Sequence, residues 1–144
     1  MEQLLIRKME IRDNEAVAAL SLELGHTCTA ETVQTCIQYI LDQTDDVVII
    51  AEMCGKVVGF IHGTRHALLY AKPMINMIAF IVGNGYRGQG IGSAMLKNFE
   101  ACAREKGYAG IRLGCRTDRM DSHRFYEGKG YKNSKSQKIF VKLF

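Results

Sequence analysis

The chain has 144 residues, of which 47% are hydrophobic and 24% charged, and its formal net charge is +4. This composition is ordinary for a folded globular domain and excludes disordered and fibrous proteins. The length predicts a single domain over residues 1–144. The apolar runs are far shorter than the roughly 20 residues that a membrane span needs. No charged and then apolar leader opens the sequence, so we expect a cytoplasmic protein without a membrane partner.

Cysteine spacing and charge distribution limit the kinds of ligand that the chain could bind. The five cysteines are odd in number and form no C-x-x-C pair, which argues against disulfides or zinc, and we predict no metal. Residues 1–96 carry 7 basic and 10 acidic side chains, whereas residues 97–144 carry 12 and 5. The basic part suits an anionic ligand, although a solvated lysine surface explains it as well. Because no nucleic-acid-binding module is recognisable, we expect no nucleic-acid partner.

Hydrophobic periodicity predicts strands over residues 4–11, 47–52, 56–62, 77–82 and 110–115, and a final strand in which Ile139, Val141 and Leu143 alternate. Helices are predicted over residues 14–24, from the Thr29 cap to residue 41, over 91–106 and up to residue 129. The stretch 63–76 has no clear period and is predicted as a long functional loop. The order implies a mixed sheet with helices on both faces, with residues 77–115 forming a parallel crossover.

Residues 83–93 read GNGYRGQGIGS, with five glycines in eleven positions. Glycine permits positive φ and lets a ligand approach the backbone closely. The stretch lies between a predicted strand and a predicted helix, whose first amides and dipole favour phosphate. It also contains G-x-G-x-x-G, but the acidic residue that a dinucleotide site needs ~20 positions later is missing. The stretch therefore predicts a phosphate-binding loop of another kind.

Two motifs resemble the GNAT N-acetyltransferase superfamily. Arg87 to Gly92 fits R/Q-x-x-G-x-G/A, and residues 122–131, SHRFYEGKGY, are similar to the late motif A-x-x-F-Y-E-K-x-G-F. The resemblance covers nearly the whole chain. It implies an α/β fold with a mostly antiparallel sheet, helices on both faces, and a parallel strand pair splayed around coenzyme A. It also implies an enzyme that moves an acetyl group from acetyl-CoA directly to an amine, and it is compatible with a homodimer.

The resemblance assigns roles to individual residues. The backbone of Phe80, Ile81 and Val82 would pair with the pantetheine arm, and the Val82 amide would polarise the thioester carbonyl. Tyr126 takes the position of the general acid that protonates the departing thiolate. The remaining implied cofactor contacts are Arg87, Gly88, Gln89, Gly90, Ile91, Gly92, Ser93, Ser122 and Phe125.

The chain departs from the family at the general base, the group that takes a proton from the acceptor amine. Many members carry a glutamate in the strand before the loop, where this chain has Ile78 and Ala79. An amine that loses its proton in solution or on desolvation needs no such base. The other candidates are Glu52, His66, Asp118 and Asp121.

The acceptor site is expected at the first two helices and the stretch 63–76, with Glu52, His66 and Tyr70 as candidate lining residues. Acidic residues in the N-terminal part favour a small cationic amine. A protein N-acetyltransferase is one alternative, and a non-catalytic acyl-CoA-binding regulatory domain is another, motivated by the missing carboxylate. The sequence leaves the acceptor, the base and the oligomeric state open.

Overall fold

A computed structural model describes residues 3–144 of the chain. Its strands are β1 Leu4–Lys8, β2 Val47–Met53, β3 Lys56–His66, β4 Met74–Val82 and β5 Ile111–Leu113. Its helices are α1 Asn14–Glu23, α2 Ala30–Gln43, α3 Ile91–Glu105 and α4 Met120–Gly128, with a short 3-10 turn at Ile11–Asp13 before α1. The four predicted helices are thus present. The first strand is shorter than predicted because the chain turns before Ile11.

The sheet within the described residues has the order β1-β2-β3-β4-β5. Strands β1 to β4 pair antiparallel with their neighbours, whereas β4 and β5 pair in parallel. Helix α3 connects the two parallel strands. The predicted α/β fold is therefore confirmed, with its mostly antiparallel sheet and one parallel pair.

The two faces of the sheet carry separate hydrophobic layers. Ile50, Phe60 and Ile81 pack with buried residues of α1 and α2. The opposite face meets α3, because a Cβ added at Gly59 would approach Met95 and one added at Gly63 would collide with Phe99. Since side chains alternate between the two faces along a strand, neighbouring residues of β2 and β3 serve both layers.

A β-bulge interrupts the pairing of β3 with β4. His62 pairs with Ala79, but its neighbour Gly63 pairs with Met77, so that Ile78 has no counterpart on β3. Such an extra residue bends its strand and changes which face the following side chains reach. Ile78 is half exposed, at 52% of its full accessibility.

Two predictions about the elements are wrong. The stretch 63–76 is not one long loop, because β3 continues to His66 and pairs with β4 from Met74 onward, leaving only residues 67–73 as the connection. The final strand is also not formed: in the described structure residues 131–144 belong to no helix or strand. Ile139, Val141 and Leu143 are instead exposed. Alternation predicts a strand only where a neighbouring strand completes its hydrogen bonds.

The chain divides into two compact units, Met1–Leu113 and Gly114–Phe144. The first unit holds the sheet, α1 to α3 and the buried hydrophobic side chains, whereas the second, described throughout, has no fully buried residue. The single domain over residues 1–144 stays a prediction. Within residues 3–144, no helix is both long and apolar enough to cross a membrane.

Candidate active site

The glycine-rich stretch forms the connection between β4 and α3. Gly85, Gly88 and Gly90 adopt φ values of 87°, 76° and 83°, in the left-handed region that other residues reach only with strain. Gly90 is the N-cap of α3. The backbone of this connection therefore depends on glycine at these positions, as the sequence predicted.

The connection is held in shape by its own polar groups. Gln89 donates its side-chain amide to the Gly85 carbonyl at 3.2 Å, and the Tyr86 amide donates to the Gly83 carbonyl at 3.1 Å. Arg87 Nε donates to the Val82 carbonyl at 2.8 Å. Residues 87–90 nevertheless remain exposed to solvent. A pre-shaped and accessible turn of this kind is suited to binding a ligand.

Helix α3 follows the turn directly and is firmly seated on the sheet. Ile91, Met95, Leu96 and Phe99 are at most 2% exposed. The first amides of any helix lack partners within the helix, and its N-terminus carries partial positive charge. The turn and the first residues of α3, up to Ser93, therefore offer donors and a dipole to an anion such as a phosphate group.

The end of β4 has an edge that its parallel neighbour does not cover. Pairing with β5 runs from Ile75 to Met77 and ends there, although β4 continues to Val82. The Gly83 amide donates to the Val58 carbonyl of β3 at 2.8 Å. Because successive amides of a strand point to opposite edges, the Val82 amide points away from β3. The residues predicted to contact the cofactor from β4, Phe80, Ile81 and Val82, thus lie where the parallel pair opens.

Tyr126 lies on α4, in the second unit, within a small aromatic cluster. Its ring makes edge contacts with Phe125, at 5.4 Å between centroids, and with Tyr131, at 5.7 Å. Burial, and secondarily the negative charge that Cys115 can carry, raise the pKa of Tyr126 to about 12. The phenol therefore keeps its proton at neutral pH. Ser122 lies half-buried in the first turn of the same helix.

Candidate acceptor residues fall into two groups that the sheet separates. His66 ends β3, and Tyr70 follows in the connection to β4 with 85% of its surface exposed. Glu52 pairs with Val57 at the other end of β3. His66 lies nine positions after Val57 along the strand, which corresponds to about 30 Å. Glu52 therefore does not line one site together with His66 and Tyr70.

Glu52 belongs instead to an ion-pair network at β1. Arg7 donates Nε to Glu52 at 2.7 Å and Nη2 to Asp13 at 2.7 Å, and Asp13 is 2% exposed. Burial alone would raise the pKa of Asp13, but the Arg7 guanidinium and the Glu10 amide together hold that pKa below its usual value. The carboxylates of Asp13 and Glu52 raise the pKa of Arg7. An ion-paired Glu52 is a poor candidate for either the base or an acceptor contact.

The other two carboxylate candidates for the base are ion-paired as well. Asp118 accepts from Arg116 at 2.9 Å, and Asp121 pairs with Arg124 on the exposed face of α4. Both lie in the second unit, close to Tyr126 in sequence.

One polar pair was missed by the sequence analysis. His62 Nε2 lies 2.8 Å from Asp46 Oδ2, with 19% and 10% of the two side chains exposed. A carboxylate bonded to an imidazole fixes the orientation of the ring. The pair is visible only once β2 and β3 are aligned, because Val48 pairs with His62 and Asp46 lies just before β2.

A comparison with family models finds one match, described as "Acetyltransferase (GNAT) family", over residues 12–131. The chain belongs to the GNAT acetyltransferase family. Both the glycine-rich turn and the late motif lie within the matched residues. The family identifies the chain as an acyltransferase of the N-acetyltransferase class, as the resemblance implied. A search of curated proteins finds no match to the chain.

Several solved structures share the fold of this acetyltransferase at low sequence identity. Aminoglycoside N-acetyltransferase AAC(6')-Iy in complex with CoA superimposes with a TM-score of 0.86 at 16% identity, covering 96% of this chain and 94% of that one. A ribosomal-protein-alanine N-acetyltransferase from Brucella melitensis biovar Abortus 2308 gives 0.75 at 17% identity, covering 96% and 98%. A transcriptional regulator from Bacillus halodurans C-125 gives 0.83 at 22%, covering 96% and 99%.

Proposed function

We propose that this GNAT acetyltransferase moves an acetyl group from acetyl-CoA directly to the amine of a small cationic acceptor. The observation that carries the proposal is the turn between β4 and α3, with Gly85, Gly88 and Gly90 in the left-handed region. A turn of this shape at a helix N-terminus suits a pyrophosphate, which the nucleotide part of coenzyme A carries.

Residues of the first unit would hold the cofactor. The amides from Arg87 to Ser93 would bind the pyrophosphate, and the open edge of β4 would bind the pantetheine arm by adding a strand-like partner. The Val82 amide, directed away from β3, would stabilise negative charge on the thioester oxygen. Acetyl-CoA, when bound, supplies the activated acetyl group and a thiolate leaving group.

Tyr126, with Ser122 and Phe125 on the same helix, would act at the thiolate. Its pKa of about 12 keeps the proton on the phenol at neutral pH. Transfer of that proton to a thiolate of ordinary pKa, about 8.5, is uphill in water. The phenol therefore acts as a hydrogen-bond donor that releases its proton only as a desolvated thiolate develops full charge.

A general base would take a proton from the acceptor amine, and several side chains are candidates for this role. Glu52, Asp118 and Asp121 are ion-paired. His66 remains a candidate, and His62, oriented by Asp46, joins it. An acceptor amine that arrives without its proton needs neither. Turnover of His62→Asn and of His66→Asn, measured separately at a fixed acceptor concentration, would distinguish the two histidines. The variant that loses turnover lacks the base.

The acidic charge of the N-terminal part of the chain supports a cationic acceptor. Residues 13–55 contain eight acidic side chains and neither lysine nor arginine. His66 and Tyr70 are proposed to line the acceptor site. AAC(6')-Iy, a fold neighbour, is an aminoglycoside N-acetyltransferase, and an aminoglycoside is such a small cationic amine.

The test is a screen of the full chain with acetyl-CoA against diamines, polyamines, aminoglycosides and basic peptides, read by mass spectrometry. A mass increase of one acetyl group on a small amine supports the proposal. Acetylation of peptides alone would favour a protein N-acetyltransferase. Tight CoA binding without any acetylated product would favour a regulatory acyl-CoA-binding domain.

We also propose a homodimer formed through the C-terminal segment. Ile139, Phe140 and Val141 are at least 77% exposed. Residues 128–144 carry five lysines and no acidic side chain, which complements the acidic residues 13–55 of a second copy. Light scattering should find a dimer that Val141→Glu dissociates and Leu5→Glu, an exposed control on β1 outside residues 13–55, does not. Cytoplasmic localisation, the absence of a metal cofactor and the absence of nucleic-acid or membrane partners stay predictions.

A further inference from the structure

Glu23 is the last residue of α1 and contacts the glycine-rich turn. Its Oε1 accepts a hydrogen bond from the Asn84 amide at 2.8 Å and lies 3.5 Å from Arg87 Nη2. Arg87 in turn donates to the Val82 carbonyl at the end of β4. A single carboxylate thus connects three parts of the first unit: α1, the turn and, through Arg87, the end of β4.

The position of Glu23 is unfavourable for the helix itself. The C-terminal end of a helix carries partial negative charge, so an acidic residue there is repelled by the dipole. The last turn of α1 holds no basic residue that would compensate. A negative charge beside a phosphate-binding turn also repels the anion that the turn would bind. Both costs must be offset by the bonds that Glu23 makes to Asn84 and Arg87.

The start of the turn is fitted closely against α1. A Cβ added at Gly83 would lie 3.1 Å from Leu20 Cδ2 of α1 and 3.6 Å from Glu23 Oε2. Leu20 is buried, whereas the Glu23 side chain keeps 29% of its surface exposed. The missing side chain of Gly83 therefore lets the turn lie close to Leu20, and the carboxylate of Glu23 binds the turn there.

We infer that Glu23 is a positioning residue for the cofactor: it binds the turn to α1 so that the turn is shaped for a pyrophosphate before the cofactor arrives. The inference rests on the proposed function. In this role Glu23 acts on the turn and not on the reacting atoms. Its effect passes through the Asn84 amide and the Arg87 side chain, and it makes α1 a support for the cofactor site.

Three substitutions separate geometry from charge. Glu23→Ala removes the acceptor and the charge, Glu23→Gln keeps an acceptor oxygen without the charge, and Glu23→Asp keeps the charge with a shorter reach. Glu15→Ala, an exposed glutamate on the same helix, is the matched control for net charge. If Glu23 acted only by repelling the anion, both Glu23→Ala and Glu23→Gln would tighten CoA binding.

The experiment is calorimetric titration of each full-length variant with CoA, together with steady-state kinetics for acetyl-CoA. We expect Glu23→Ala to raise the dissociation constant and the KM about tenfold, as for loss of a hydrogen bond to a charged group, with kcat at saturation within about twofold. Glu23→Asp should show an intermediate loss, and Glu23→Gln should bind about as well as the parent. The thermal midpoint of all variants should stay close to that of Glu15→Ala.

The outcomes distinguish this inference from the proposed function. If the parent protein does not bind CoA, the proposed function is overturned and the positioning role with it. If the parent binds CoA and Glu23→Ala binds equally well or more tightly, only the positioning role is overturned. Should Glu23→Ala fail to fold, Glu23→Asp decides, because it keeps the charge and shortens only the reach to Asn84.

Discussion

The turn that would bind the cofactor and the helix that carries Tyr126 are built in different ways. The turn lies on a sheet whose central side chains, such as Ile50, Ile61 and Ile75, are fully buried. Helix α4, in contrast, has no buried residue, and edge contacts among aromatic rings surround Tyr126. The shape of the turn is thus set by the folding of the first unit, whereas the proposed acid lies on a helix of the second unit among aromatic rings. Substitutions in the two regions should separate folding from turnover.

The largest expected effect is on folding and follows from Gly59→Ala in β3. An added Cβ would lie 2.6 Å from the Ile81 carbonyl oxygen, so β4 must move. We expect a loss of about 2–3 kcal/mol in the free energy of unfolding, measured by urea denaturation. The matched control is Gly114→Ala in the second unit, where an added Cβ would meet no atom within 4 Å. Equal stabilities of the two variants would contradict the contrast between the regions.

Tyr126→Phe should leave folding intact and lower turnover. Loss of a general acid typically costs about 10²-fold in kcat or more, with CoA affinity unchanged. The measurement is steady-state kinetics with the amine found in the screen, paired with calorimetric titration of CoA. Tyr39→Phe, an exposed tyrosine on α2, should behave like the parent. Unchanged turnover of Tyr126→Phe would remove the residue from its proposed role.

A third substitution tests the turn without touching the sheet. Gly90→Val places a β-branched residue at φ 83°, which should distort the turn and weaken CoA binding about tenfold. Gly107→Val places the same residue at φ 80° after the C-terminal end of α3, so its strain is similar but distant from the turn. Calorimetric titration should find weaker binding for the first variant alone. Equal affinity of both would argue that the turn does not hold the cofactor.

The smallest effect is a shift in the titration of one phenol. With a pKa of about 12, Tyr126 keeps its proton where an ordinary tyrosine near 10 has lost it. Between these values the folded state binds a proton that the unfolded state has released, so this contribution to stability is present below pH 10 and is lost as the pH rises toward 12. The difference in tyrosinate absorbance between the parent and Tyr126→Phe should have its midpoint about 12. A midpoint at 10 would contradict the burial of the ring.

The sequence predicted the parts of the fold that depend on local chemistry. Glycines at positions 85, 88 and 90 need their own backbone conformations, and the apolar spacing of α3 follows from a helix that packs on a flat sheet. The continuation of β3 to His66 could not be predicted, because Gly-Thr-Arg-His has no apolar alternation and is a strand only through its pairing with β4. The strand predicted at residues 139–143 is wrong for the opposite reason. Its residues alternate, but within residues 3–144 no neighbouring strand pairs with them.

The candidate site, like the fold, was predictable only where it depends on local sequence. Motif spacing predicted the turn and placed Tyr126 on a helix. The contacts of Glu23 with Asn84, and of His62 with Asp46, join residues far apart in the chain and carry no local signal. The ion pair of Glu52 likewise has no local signal, because its partner Arg7 lies on another strand.

The bulge at Ile78 lies between the two ends of β4. Before it, Met77 lies across from Gly63, whose missing side chain faces α3, and after it Ile81 packs with α1 and α2. Without Ile78, Met77 and Ala79 would become neighbours opposite Gly63 and His62 and would keep facing their two layers, but β4 would lose the bend that the extra residue gives it. The extra residue therefore controls the direction of the last residues of β4, and a strand without it would misplace Val82 even with every residue of the turn intact.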